Sequence, residues 1–242
     1  MGVNMKKQVL VSTSMCDNTG KLAIRHIFSL FMDMASEHGD KMGVGMDVLS
    51  QKNLFWLAVK TKVRVYHRPG MLRQINAATW PETPGKIRCN RYYELSEGDQ
   101  IIADGKTEWA MVDTVSGRLA RLSEAYPPDI VHDQEISCEA PYAKIADDFS
   151  DCPEIAVYTV RSTDIDLGQH MNNVAYVHAI FGAFSCKELA EMDIREMDIH
   201  FRIPCFEGDR LSIRRRDSEN SLEIGILRDD GKTAVAAKIQ LA

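Results

Sequence analysis

Apolar residues recur at helical spacing in two segments of the chain. In residues 26–38 they return every three or four positions, which places them on one side of a helix. Residues 174–184 repeat this spacing, and small side chains cover much of the remaining helix surface. The pattern therefore predicts two helices, each packed closely against a sheet.

Runs typical of β-strands follow each predicted helix. In the first half these runs are WLAVKTKVRVYHR, RQINAATWP, IRCNRYYELS and TEWAMVD, and in the second half DIHFRIP, DRLSIRRR, SLEIGILRD and TAVAAKIQL. A sheet of parallel strands would need helices between most of them, and the sequence offers only two good helix candidates. Two antiparallel meanders, each preceded by a strand and a helix, fit the order of elements better.

A short sequence echo supports an internal duplication. Residues 104–107 and 230–233 both read DGKT, and each copy precedes a predicted strand. Because a Gly after an Asp suits a turn with positive φ, we interpret each copy as a turn between paired strands.

The region between the two repeats is rich in Pro, Asp and Glu and has little periodicity. We interpret residues 123–153 as a linker between an N-terminal unit, 1–122, and a C-terminal unit, 154–242. One helix wrapped by a curved antiparallel sheet is the hotdog arrangement. The predicted fold is thus an α+β tandem (double) hotdog, with two antiparallel sheets each wrapped around a central helix.

Composition narrows the functional classes. The 242 residues are 45% hydrophobic, which is enough for real cores, and a net charge of -6 gives no reason to expect a nucleic-acid partner. We expect no membrane span, because no apolar run reaches roughly 18 residues, and no signal peptide. The six cysteines lack CxxC pairs, which favours reduced thiols and a cytoplasmic location. The seven histidines, His132 among them, lack zinc-ligand spacing, so we expect no metal.

The densest polar cluster outside the linker lies between a predicted strand and the second helix. A loop ending at a helix N-terminus can stabilise developing negative charge through free backbone N–H groups and the helix dipole. For a thioester, Asp166 can act as base or nucleophile and His170 can protonate the departing thiol. The structural alternative is that Asp164 and Asp166 make Asx-turns while Asn172 and Asn173 only cap the helix.

The segment DIDLGQHMNNVAY resembles the signature D-L-D-x-N-x-H-V-N-N-x-x-Y of the fatty acyl-ACP thioesterases. The tryptophan of NLFWLAVKTKVRV, the RPG turn, ATWP and WAMVD also occur in the order that this family shows. The resemblance covers nearly the whole chain. It implies an enzyme of fatty acid biosynthesis that hydrolyses acyl-ACP thioesters and needs no cofactor, because water is the acceptor.

By this resemblance Asp166 and His170 are the catalytic aspartate and histidine, and Asn172 and Asn173 are the paired asparagines. Two positions depart from the family pattern. Gly168 stands where many members carry Asn, and where they carry Glu, often followed by Cys, this chain has Pro204 and then Cys205. A lone Cys beside Pro at a strand end is more often a packed side chain than a nucleophile.

The resemblance also implies that the first unit holds the acyl chain. The substrate-binding candidates are Met34, Met46 and Trp56, although ordinary core packing explains each of them singly as well. An acyl carrier protein is acidic, so docking needs basic residues. The candidates are the alternating Lys60, Lys62 and Arg64 and the run Arg214–Arg216.

Two alternatives remain beside the acyl-ACP thioesterase. One is an acyl-CoA thioesterase that uses the same fold and carboxylate. The other is a non-catalytic acyl-binding protein, which Gly168 and Pro204 motivate. The sequence leaves open the acyl chain length and whether the protein is a monomer or a homodimer.

Overall fold

The computed structural model describes residues 4–127 and 135–242. The chain divides into two compact units, Met1–Ala140 (unit 1) and Pro141–Ala242 (unit 2). The division falls inside the predicted linker 123–153. Residues 128–134 of that linker, with His132, lie outside the described residues, and its described part is irregular apart from a 3-10 helix at Leu122–Glu124.

The described residues of unit 1 form one long helix, one short helix and five strands. Its elements are β1 (Met5–Leu10), α1 (Ile24–Lys41), α2 (Met46–Ser50), β2 (Leu54–Val65), β3 (Gln74–Pro81), β4 (Arg88–Glu97) and β5 (Gln100–Asp113). The strands lie in the order β1-β3-β4-β5-β2, and every pair is antiparallel.

Unit 2 repeats the same plan. Its elements are β6 (Glu154–Thr159), α3 (Asn173–Gly182), α4 (Cys186–Glu191), β7 (Ile194–Phe201), β8 (Arg210–Ser218), β9 (Ser221–Leu227) and β10 (Thr233–Leu241). The order β6-β8-β9-β10-β7 matches that of unit 1 strand for strand, again with antiparallel pairs. The predicted tandem hotdog is therefore confirmed, and α2 and α4 are two short helices that the apolar pattern missed.

Helix α1 packs tightly on the sheet of unit 1 through one large aromatic contact. Phe31 is fully buried, as the helical spacing of apolar residues predicts, and its ring stacks on Tyr93 of β4 with centroids 4.3 Å apart. Gly105 is the neighbour of Tyr93 on β5. A side chain at Gly105 would meet the Phe31 ring, so the missing Cβ is what lets the helix approach.

The two DGKT copies occupy different places in their units. The second forms the predicted turn before β10, with Gly231 at φ 78°. The prediction for the first copy is wrong, because Asp104–Thr107 lies inside β5 and Gly98, at φ 58°, makes the turn before that strand. The repeat of elements is real, whereas the four-residue echo reflects a packing need at Gly105 and a turn at Gly231.

One absence concerns membranes. Among the residues that the structure describes, no helix is long and apolar enough to cross a bilayer.

The close approach at Gly105 yields a stability prediction. An alanine Cβ at this position would lie 2.3 Å from the Lys62 carbonyl oxygen and 2.5 Å from the Phe31 ring. We expect Gly105→Ala to lower the free energy of unfolding by about 2–3 kcal/mol in urea denaturation, because either strand or helix must shift. Gly182→Ala is the matched control, since an added Cβ there meets nothing within 4 Å. Equal losses in the two variants would contradict this account of the packing.

Candidate active site

The segment between β6 and α3 forms a narrow hairpin. The Asp166 N–H donates to the His170 carbonyl (3.0 Å), the Gln169 N–H donates to the Asp166 carbonyl (3.0 Å), and Ile165 pairs with Met171 in an isolated antiparallel bridge. Residues opposite one another in an antiparallel pair project their side chains to the same face. The hairpin therefore sets the Asp166 and His170 side chains side by side, and both are partly exposed.

The tip of this hairpin is strained. Gln169 adopts φ 60°, a left-handed conformation that costs an ordinary residue on the order of 1 kcal/mol, whereas the preceding Gly168 does not use positive φ. Leu167, at the apex, is 82% exposed. Strain of this kind persists where the surrounding structure fixes the backbone, and it collects at functional sites.

The Asp166 carboxylate is only half engaged. Its Oδ1 accepts a hydrogen bond from the Gly168 N–H (2.8 Å), so the Asx-turn expected from the structural alternative is present. No other hydrogen bond or ion pair of this carboxylate occurs among the described residues. Asp164 differs, because its Oδ2 accepts from the Arg161 N–H (2.7 Å) and the Tyr158 hydroxyl (2.9 Å). Asp164 thus holds the loop in place, while one oxygen of Asp166 accepts no hydrogen bond from the described residues.

The N-terminus of α3 begins immediately after the hairpin. Asn172 is the N-cap, and its Oδ1 accepts from the Val174 N–H (2.8 Å) while its carbonyl accepts from the Ala175 N–H (2.9 Å). Asn173 is the first helical residue, and within the described chain its N–H has no acceptor. That N–H, at the positive end of the helix dipole, is the backbone group left to bind a developing oxyanion.

Cys205 lies fully buried beneath the hairpin. Its carbonyl accepts from the Met171 N–H (2.8 Å), and its own N–H donates to the Tyr176 hydroxyl (2.9 Å). Burial raises the pKa of the Cys205 thiol, which keeps it protonated and unsuited to nucleophilic attack. The next residue, Phe206, sets its ring 5.2 Å from the His170 ring.

Unit 1 contains the same hairpin backbone with different side chains. The Asp17 N–H donates to the Lys21 carbonyl (2.9 Å), the Gly20 N–H donates to the Asp17 carbonyl (3.0 Å), and Cys16 bridges to Leu22. Asp17 thus occupies the place of Asp166, and Lys21 occupies the place of His170. The αL position, strained in unit 2, is here a glycine, Gly20 at φ 73°.

The carboxylate of unit 1 is fully engaged. Asp17 Oδ1 accepts from the Thr19 N–H (2.9 Å) and hydroxyl (2.6 Å), and Oδ2 forms an ion pair with Arg68. Burial alone raises the pKa of Asp17, but the bonds from Thr19 and Arg68 outweigh it and leave the pKa below its ordinary value. Asp17 is therefore a fixed anion with a cation beside it.

The position of Arg68 corresponds to that of Pro204. After β2, the N–H groups of residues 66 and 67 both donate to the Ile102 carbonyl. After β7, the N–H groups of residues 202 and 203 both donate to the Ala234 carbonyl. The next residue is Arg68 in unit 1 and Pro204 in unit 2. Pro204 thus offers Asp166 no cationic side chain of the kind that Arg68 offers Asp17, although the Arg228 guanidinium donates to the Pro204 carbonyl (3.2 Å).

The predicted acyl-binding residues all lie in unit 1. Met34 is buried on α1, Met46 is half-buried at the start of α2, and Trp56 of β2 donates its indole N–H to the Val44 carbonyl (3.0 Å). Trp56 also joins an aromatic cluster that sequence reasoning missed, through edge contacts with Trp109 and Tyr126. The alternation of side chains along β5 could have indicated that Trp109 belongs to this cluster. Tyr126 lies in the irregular segment, where no sequence pattern indicates its contacts.

The basic stretches are largely engaged. Lys62 is buried, contrary to the expectation of an open basic face, and Arg64 pairs with Asp104 (2.5 Å). In the run Arg214–Arg216, the first residue donates to backbone carbonyls and the other two contact nearby carboxylates. Neither stretch presents three unpaired charges to a carrier protein.

Metal ligands are also absent from the described part of the chain, where no group of three or more His, Cys, Asp or Glu side chains is placed to hold an ion.

Comparisons with known proteins identify relatives in sequence and in fold. The chain is 20% identical over 255 residues to oleoyl-acyl carrier protein thioesterase 2, chloroplastic, of Arabidopsis thaliana, a match that covers 96% of this chain and 68% of the plant protein. Other plant relatives are matched over 61% and 50% of their length. The chain thus spans about half to two thirds of the plant relatives.

Two solved structures share the fold over nearly the whole chain. An acyl-ACP thioesterase from Bacteroides thetaiotaomicron superposes with a TM-score of 0.89 at 20% identity, covering 99% of this chain and 98% of that one. The 12:0-ACP thioesterase from Umbellularia californica gives 0.82 at 17% identity, covering 100% and 98%.

The family profiles locate both halves. The acyl-ACP thioesterase N-terminal domain matches residues 2–130, and the acyl-ACP thioesterase C-terminal domain matches residues 150–242. The second match includes the hairpin of Asp166 and His170 and the start of α3. The chain therefore belongs to the acyl-ACP thioesterase family.

Proposed function

We propose that this chain hydrolyses fatty acyl-ACP thioesters to free fatty acid and holo-ACP. The observation that carries the proposal is the half-engaged Asp166 carboxylate, set opposite His170 on one hairpin at the N-terminus of α3. The duplicated hairpin in unit 1 supports the choice of site, because the corresponding Asp17 is held by Arg68 and Thr19. Membership of the family supports the choice of substrate.

The reaction needs an attacking oxygen, a polarised carbonyl and a proton for the thiol. The free oxygen of Asp166 accepts a proton from water, or attacks the thioester carbonyl itself to form an anhydride that water then opens. The Asn173 N–H and the helix dipole stabilise the oxyanion. His170 delivers a proton to the departing pantetheine sulfur, so that one water yields one carboxylic acid and one thiol.

Gly168 and Pro204 simplify the site relative to the family signature. Gly168 contributes a backbone N–H that orients Asp166, in place of an amide side chain. Pro204 contributes no carboxylate, which leaves Asp166 as the acidic group of the hairpin that remains free for proton transfer. His170 and Asn173 complete the proposed machinery, with Asn172 holding the helix N-terminus in place.

The proposed cellular setting follows from the substrate and the thiols. The partner is an acyl carrier protein bearing a fatty acyl chain, with the chain held in unit 1 near Met34, Met46 and Trp56. The six cysteines are scattered along the chain without CxxC pairs, which supports a reducing, cytoplasmic location. Water is the acceptor, so the proposed reaction requires no cofactor.

The paired aspartates give a matched test. We expect Asp166→Asn to lower kcat/KM for thiol release from acyl-ACP by ~10²-fold or more, because the amide cannot accept the proton. Asp17→Asn is the control at the same backbone position. It should keep near-normal turnover while lowering the free energy of unfolding by about 1–3 kcal/mol, since Arg68 loses its charged acceptor.

Thiol release is measured over a panel of acyl chain lengths, with circular dichroism confirming that each variant is folded. Absence of release by the wild type at every chain length would contradict hydrolysis. Normal release by Asp166→Asn, or a loss confined to Asp17→Asn, would contradict the assignment of the site. Bound fatty acid without turnover would favour the non-catalytic acyl-binding alternative.

Carrier choice separates the acyl-ACP from the acyl-CoA alternative. Both carriers present the same pantetheine thioester, but only the carrier protein adds protein contacts. We expect kcat/KM for acyl-ACP to exceed that for acyl-CoA of equal chain length by about tenfold or more, equivalent to about 1.4 kcal/mol of additional transition-state binding. Equal values on the two carriers would favour the acyl-CoA thioesterase.

A further inference from the structure

Cys205 connects three parts of the proposed active site through its backbone. Its carbonyl holds the Met171 N–H next to His170, and its N–H is held by the Tyr176 hydroxyl on the first turn of α3. Phe206, the following residue, lies against the His170 ring. The orientation of His170 thus depends on where the Cys205 backbone is held.

Unit 1 shows that the fold does not need the tyrosine. There the Leu22 N–H donates to the Pro69 carbonyl at 2.8 Å, the same distance as in the Met171–Cys205 contact. Pro69 has no N–H to satisfy. The fourth residue of α1, which corresponds to Tyr176 as the fourth residue of α3, is the buried, apolar Ile27. The same hydrogen bond between the hairpin and the segment after the strand therefore forms with a proline at position 69 and an aliphatic side chain at position 27.

Unit 2 differs at both members of this pair. Cys205 brings a buried N–H, and Tyr176 brings the hydroxyl that accepts from it. A buried N–H without an acceptor is strongly disfavoured, so the two residues depend on each other. Unit 1 forms the equivalent backbone hydrogen bond without either group. We therefore attribute the pair to a requirement of the hairpin that carries His170.

We propose that Tyr176 is a positioning residue for the thioesterase reaction, holding His170 in place through the Cys205 backbone and the Phe206 ring. The inference rests on the proposed function, since it assigns Tyr176 a role in the same site. Tyr176 does not reach the substrate, because its side chain is buried and its hydroxyl is directed at Cys205.

Tyr176→Phe removes the acceptor and keeps the ring. We expect kcat to fall by about tenfold with KM changed less than about twofold, because small misplacements of a proton donor act on the chemical step. The matched control is Tyr92→Phe in unit 1, which also removes one hydroxyl bond of a buried tyrosine, to Glu82 (3.1 Å). That control should keep both kinetic constants.

The double variant Tyr176→Phe/Cys205→Pro resembles unit 1 in two respects, because residue 205 then lacks an N–H and residue 176 lacks a hydroxyl. It removes the N–H together with its acceptor, so we expect it to recover most of the lost kcat. A double variant as slow as Tyr176→Phe would overturn the proposed route through Cys205. Wild-type kcat in folded Tyr176→Phe would overturn positioning altogether. Should Tyr176→Phe fail to fold, the double variant alone decides, with near-normal kcat expected and slow turnover contradicting the proposal.

A second readout does not depend on turnover. The imidazole resonances of His170, recorded by NMR at one fixed pH, should shift in Tyr176→Phe, return towards the wild-type position in the double variant, and stay unchanged in Tyr92→Phe. Unchanged His170 resonances in Tyr176→Phe would contradict positioning. If the wild type released no thiol, the proposed function would fail, while the His170 resonances would still report whether Tyr176 holds His170.

Discussion

The hydrogen bond from the Met171 N–H to the Cys205 carbonyl fixes the hairpin of Asp166 and His170 to the segment that follows β7. Its counterpart in unit 1, from Leu22 to Pro69, has the same length. This bond fixes where each hairpin ends and its helix begins. In both units the residue two places before the helix N-cap, Lys21 or His170, lies opposite an aspartate. The juxtaposition of Asp166 with His170 is thus a property of the backbone, and the side chains around it decide what that juxtaposition does.

The two units diverge in how they treat the aspartate. In unit 1, Arg68 and Thr19 take up both oxygens of Asp17, which stabilises the anion, lowers the pKa of the carboxyl and makes it a weaker proton acceptor. In unit 2, Pro204 occupies the position of the arginine and Gly168 that of the threonine, so Asp166 keeps only the backbone bond that orients it. The two departures from the family signature therefore leave a simple site, in which one carboxylate, one imidazole and one helix N-terminus carry the proposed chemistry.

The features that the sequence predicted correctly are those that depend on local patterns of residues. Helical spacing around Phe31 and the strand runs gave the tandem hotdog, and the motif placed Asp166 and His170 on one loop before a helix. The correspondence of Arg68 with Pro204 could not be predicted from the sequence, because equivalent elements of the two units differ in length. Helix α1 has 18 residues and α3 has 10, while β2 has 12 residues and β7 has 8, so the two halves do not align at a constant spacing. Burial of Lys62 and the bond from Arg91 to His38 (2.9 Å) depend on which strands and helices meet, so alternation of charges along one strand does not report them. The hydroxyl of Tyr176 likewise finds its partner far along the chain.

The central claim is that Asp166 can take up a proton because no cation forms an ion pair with it among the described residues, whereas Arg68 pairs with Asp17. Pro204→Arg tests it most directly, because it places at Asp166 the residue type that holds Asp17, and Pro204→Met controls for loss of the proline. The account predicts that thiol release from acyl-ACP falls at least about tenfold in Pro204→Arg relative to Pro204→Met, with both variants folded. A crystal structure of Pro204→Arg shows whether the new arginine pairs with Asp166. If it does and the two variants release thiol equally, the account is contradicted.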